Sequence, residues 1–97
     1  MITVSPVKIG ERSATGLRVE LPDSPPLLLI VAEKGFIMCG YLNVEVAEKV
    51  GVCAATVSGV NSFEDVLEAE VKAVTTKAQK LGIKQSMKGE KAIKLML

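Results

Sequence analysis

The chain has 97 residues, 48% of them hydrophobic and 24% charged, the composition of one folded domain, which excludes wholesale disorder. Twelve Lys and Arg against eleven Asp and Glu leave a net charge of +1, so no general electrostatic attraction draws it to nucleic acid or an anionic membrane surface. Histidine is absent and cysteine occurs twice, which removes imidazole chemistry and leaves too few thiols for a secreted disulfide framework.

The opening Met1-Ile2-Thr3-Val4 has neither a basic nor an extended apolar leader segment, so a cytoplasmic setting is expected. Strands are predicted over Thr3 to Ile9, Ser13 to Leu21, Leu27 to Glu33 and Phe36 to Leu42, from their β-branched content and the punctuation at Gly10, Pro22, Pro25, Pro26 and Gly35. The apolar run from Leu27 to Ala32 is about a third of the roughly 20 residues a membrane span needs, so a buried strand is expected and no membrane partner. Glu33-Lys34-Gly35 suits a tight connection, which makes the third and fourth strands an antiparallel hairpin. In the second strand, Leu17, Val19 and Leu21 share one face by alternation while Arg18 and Glu20 take the other, which predicts one wet side.

Asn43 is placed to cap a short helix whose Val44, Ala47 and Val50 share a side, with Gly51 as its left-handed stop. Val52 to Val57 is compact and apolar, as expected for a central strand. Ser62 followed by Asp65 resembles a capping box and opens a helix over Phe63 to Leu67. Val71, Val74, Ala78 and Leu81, spaced by three and four, predict a helix from 71 to 81 that ends at Gly82. A last helix from about Met87 to Met96 buries Met87, Ile93 and Met96, with Gly89 costing about 1 kcal/mol relative to alanine. The fold expected is therefore a single α+β domain over residues 1–97, its strand-rich N-terminal half packed against helices from the C-terminal half.

The densest candidate site is Gly35-Phe36-Ile37-Met38-Cys39-Gly40-Tyr41-Leu42, which holds one of the two thiols and two of the three aromatic residues. As a catalytic pair, Cys39 would supply the nucleophilic or oxidisable sulfur and Tyr41 a hydrogen bond. As a binding site, Gly35, Phe36 and Gly40 would admit a ligand, with backbone N–H groups near an anion or carbonyl. Strand alternation sets Cys39 and Tyr41 on one face and Gly40 on the other, so a bulge is needed for all three to meet. Gly59, Asn61 and Ser62, at the start of a short helix, form a second candidate site, for a small anionic ligand.

Plain packing competes with chemistry at each place. Cys39 and Cys53 both suit a core and are candidates to meet across the sheet, but their spacing supplies no redox pair. Two thiols without histidine make no usual zinc set, and Glu64, Asp65, Glu68 and Glu70 lack the stepped spacing of a calcium loop, so no metal or other cofactor is expected. Lys84, Lys88, Lys91 and Lys94 carry no interleaved aromatic or arginine fork, which reads as a wet helical face rather than a nucleic-acid track.

The chain resembles the YunC-like family of small proteins, domain of unknown function 1805. The resemblance is carried by Gly35-Phe36-Ile37-Met38-Cys39-Gly40 with Leu42 and Val44, by Gly59-Val60, and by Ala78 through Leu81-Gly82-Ile83 with Met87, Gly89 and Ala92. It implies a small mixed α+β domain and assigns no activity. From the residues, a small-ligand-binding or regulatory domain is the expectation, with a thiol-dependent enzyme using Cys39 as the alternative. So small a domain gains from a companion subunit, and a homo-oligomer, simplest as a dimer, is expected.

Overall fold

The structure, a computed structural model, describes residues 1–97. One six-stranded sheet is built in chain order from β1 (Ile2–Ile9), β2 (Arg12–Val19), β3 (Leu27–Val31), β4 (Phe36–Met38), β5 (Ala54–Thr56) and β6 (Ala73–Val74). Every neighbouring pair is antiparallel except β4 and β5, which run parallel. A parallel pair needs a crossover, and helix α1 (Val44–Val50) supplies it. Helices α2 (Phe63–Glu68), α3 (Thr76–Lys80) and α4 (Gly89–Met96) complete an α+β domain.

Local chemistry explains most of these boundaries. Asn43 Oδ1 accepts the N–H groups of Glu45 and Val46, and α1 ends in a left-handed Gly51, as the sequence predicts. Ser62 Oγ accepts the Asp65 N–H at 3.1 Å. The return limb of the capping box is displaced by one residue, because Asp65 Oδ2 accepts the N–H of Asn61 at 3.0 Å. The hairpin of β3 and β4 forms as expected, closed by Ala32 N–H to Gly35 O at 2.8 Å.

The predicted helix over 71–81 is not continuous. Val71 is extended instead, donating to Met87 O and accepting from Ser86 N–H, and only Thr76–Lys80 is helical. The β-branched run of Val74, Thr75 and Thr76 favours extended backbone, and Thr75 acts as the N-cap of α3. Spacing by three and four nevertheless found buried residues, since Val71 and Ala78 are in the core.

One face of the sheet is covered by α2 and α4. Leu28, Ile30 and Ile37 point into that layer and are fully buried beside Val66, Ile93 and Met96. The Phe63 ring of α2 and the Val7 side chain both lie against Gly16. β2 is inverted relative to the expectation: Ala14 and Gly16 face the helices, while Leu17 and Val19 look to the other side. Register enforces this, since Ala14 pairs with the buried Val7 and Gly16 with the buried Ile30, and a one-residue slip would turn every side chain over.

Candidate functional site

Strand β4 stops at Met38, four residues before the predicted end, and the chain turns so that Leu42 N–H donates to Cys39 O at 3.2 Å. Gly40 and Tyr41 are the central residues of this turn, so Cys39, Gly40 and Tyr41 come together through a turn rather than a bulge. β3 runs antiparallel to β4, which sets its entry, Pro25 and Pro26, beside the exit of β4. β5 runs parallel to β4, which sets its exit, Ser58 to Asn61, there as well. These three segments line a cavity of about 310 Å³, just beyond the carboxyl ends of the two parallel strands.

The lining is mostly apolar and contains no carboxylate, ammonium or guanidinium. Cys39 is 5% exposed, and its Sγ accepts the Leu28 N–H at 3.3 Å. Tyr41 is half exposed and its hydroxyl donates to Pro25 O at 2.9 Å, which ties one wall to the other and commits the phenolic proton. Asn61 is held at both backbone groups, its N–H by Asp65 and its carbonyl by the Arg18 guanidinium. The backbone N–H groups of Gly40, Tyr41, Ser58, Gly59 and Val60 donate to no acceptor within the protein. Val60 is buried and the other four residues are exposed at the cavity mouth, so these N–H groups are open to water or to a ligand acceptor.

Of the residues singled out by sequence, Cys39, Gly40, Tyr41, Gly59 and Asn61 line this one cavity. Ser62 does not; its hydroxyl is used in capping α2. Gly35 and Phe36 lie at the far end of β4, in a separate open depression beside Val52, Cys53 and Lys77. Pro25, Pro26, Ser58 and Val60 were not singled out. The proline pair was visible as punctuation, but its place on the wall follows from strand order.

Gly35 stands against Cys53, where an added Cβ would fall 2.6 Å from the Cys53 carbonyl oxygen. Cys53 therefore lies four register positions from Cys39 along the parallel pair, about 13 Å. The two thiols do not meet across the sheet, and both are free and buried. Burial pushes the Cys53 thiol up from its ordinary value, against a smaller lowering by the Lys77 ammonium. Its folded state thus prefers the neutral thiol. The corresponding stability is fully present below the ordinary thiol value of about 8.5 and is lost as pH rises through the raised value. Denaturant titrations at about pH 8 and about pH 10 should show a steeper loss for the parent chain than for Cys53→Ala, and parallel losses would refute the assignment.

No three His, Cys, Asp or Glu side chains come together as a metal-ligand set, and no helix is long and apolar enough to cross a membrane. Lys84, Lys88, Lys91 and Lys94 border a shallow open surface, with the Lys88 ammonium donating to Glu68 O at 3.0 Å and Lys94 lying 3.9 Å from Glu90.

Comparison with known proteins adds kinship. Residues 38–96 match the model of a domain of unknown function, DUF1805. The chain is 32% identical to the uncharacterized protein YunC of Bacillus subtilis, over 100% of this chain and 99% of that protein. The crystal structure of a protein of unknown function, TA1206 from Thermoplasma acidophilum, superposes with a TM-score of 0.93 at 35% identity, covering 100% of this chain and 94% of that one.

Proposed function

The chain belongs to the DUF1805 family, and from that premise we propose that it is a small-ligand-binding domain whose site is the cavity beyond β4 and β5. The observation that carries this reading is the convergence of Cys39 to Tyr41 with Ser58 to Asn61, two segments some twenty residues apart, on one mostly apolar cavity with unpaired N–H donors. The ligand has an apolar body, received by Pro25, Pro26 and Val60, and an oxygen acceptor, a carboxylate or carbonyl, received by the loop N–H groups. Cys39 serves as wall. A thiol enzyme needs a group to take the sulfur's proton, and no carboxylate, imidazole or amine stands in the lining. The reading includes a cytoplasmic setting and self-association, as expected for a domain this small.

Gly40 offers the direct test. A Cβ there meets no atom within 4 Å, so Gly40→Leu occupies open space at the cavity without disturbing the core. Small aliphatic and aromatic carboxylates and ketones, titrated as probes into labelled protein, should shift amide resonances of residues 39–41 and 58–61. Gly40→Leu should keep the parent melting temperature within a few degrees and weaken probe binding by roughly tenfold or more. Shifts scattered over the surface, or binding indifferent to Gly40→Leu, would refute the site.

A further inference from the structure

The cavity beyond β4 and β5 has no charge in its lining, but a charged pair stands at its border. Pro26 is shared between that cavity and a smaller depression of about 210 Å³ lined by Arg18, Glu20, Leu21, Ser24 and Pro26. The Arg18 guanidinium makes a second link, because it donates to Asn61 O on the cavity wall. Ala14, Gly16 and Arg18 alternate onto the helix side of β2, and the extended chain runs on to Glu20, whose N–H donates to Met1 O at 3.0 Å. Arg18 and Glu20 therefore share a side, with Nε 3.6 Å from Oε1 and side chains 32% and 59% exposed.

We infer that the ligand is a free α-amino acid with an apolar side chain, which enters the cavity while the α-carboxylate meets Arg18 and the α-ammonium meets Glu20. The inference rests on the cavity proposed above as a binding site, and it decides which oxygen acceptor that cavity takes. Size supports it first: about 310 Å³ lies at the lower end of the roughly 300–1,000 Å³ of small-molecule sites, which suits one side chain rather than a nucleotide or large cofactor. Availability is the second support. The guanidinium makes one hydrogen bond, to Asn61 O, and its contact with Glu20 is too long to be another, so most of its N–H fork is open to a carboxylate. An exposed pair of this kind adds little to folding, and exchanging it for ligand contacts costs little. The third support is spacing. An α-amino acid carries both charges on one carbon, which matches an acceptor pair 3.6 Å apart. A plain carboxylate would leave Glu20 facing a like charge, and a plain amine would leave Arg18 without its partner. Asp65, behind Asn61, is committed to the Asn61 N–H.

L-Leucine, isocaproate and isoamylamine share one apolar body and differ in the charges they keep, so their ranking on the parent chain tests the inference without any variant. Titrated into labelled protein, L-leucine should shift amide resonances of residues 39–41 and 58–61 and bind about tenfold or more tightly than either analogue. Arg18→Gln should abolish the preference for L-leucine over isoamylamine, and Glu20→Gln the preference over isocaproate. A guanidinium that only braces the Asn61 loop would instead weaken all three probes alike on Arg18→Gln, and that result would overturn the assignment. Isocaproate bound at these residues as tightly as L-leucine would overturn the amino-acid inference and leave the cavity standing. No shift at these residues with any of the three probes, or with the carboxylates and ketones above, would remove the cavity and the inference together.

Discussion

Thr75→Val is expected to remove about 3–5 kcal/mol of folding stability, a large share of the roughly 5–15 kcal/mol typical of such a domain. Thr75 is fully buried. Its hydroxyl donates to Val52 O at 2.7 Å and accepts the N–H groups of Ala54 at 3.1 Å and Ala78 at 3.4 Å. One oxygen thus replaces a missing ladder partner for β5 and caps α3. Valine has nearly the same shape and none of the chemistry, so it strands two buried N–H groups and the half-buried Val52 carbonyl, a buried group costing about 1–3 kcal/mol at full strength. Thr75→Ser keeps the hydroxyl and loses one methyl, about 1 kcal/mol. Urea denaturation of the two variants distinguishes chemistry from packing, and a valine variant as stable as the serine one would mean that the hydroxyl network contributes nothing.

The second large effect is expected at Gly89. Helix propensity alone favours alanine there by about 1 kcal/mol. Yet a Cβ on Gly89 would collide with the Val66 carbonyl oxygen at the end of α2, and Gly89 N–H donates to Ala69 O at 2.8 Å across the same junction. Backbone cannot give way as a flexible side chain does, so overpacking prevails and Gly89→Ala should lose about 2–3 kcal/mol net. Thermal or denaturant unfolding checks the sign. A stabilised variant would show that α2 and α4 are not so close, and that the glycine was merely a weak helix former.

Local signals in the sequence read well where one residue decides one bond. Asn43 and Ser62 can satisfy helix N–H groups whatever surrounds them, and Gly51 can turn left-handed at no steric cost, so caps and stops were legible. The candidate site was legible in part for the same reason: Cys39, Gly40 and Tyr41 stand out as residue types, as do Gly59 and Asn61. That they face one cavity was not legible, because a parallel pairing of β4 with β5 brings residues twenty apart to the same end of the sheet.

What the sequence by itself determined was therefore composition-level and local: one α+β domain, its helix caps, the β3–β4 hairpin and a compact apolar strand at β5. Tertiary structure decided whatever depended on a partner distant in sequence. Val71 to Leu81 carries a helical spacing, but the bonds of Val71 to Met87 and Ser86, and of Thr75 to Val52 and Ala54, outweigh it and leave five helical residues. Leu17 and Val19 alternate as a buried strand should, but the Gly16 contact with Phe63 and the pairing of Ala14 with Val7 set the register and turn them outward. Periodicity records which residues share a side; which side is covered is settled only when strands pair, because a shift of one residue exchanges the two faces.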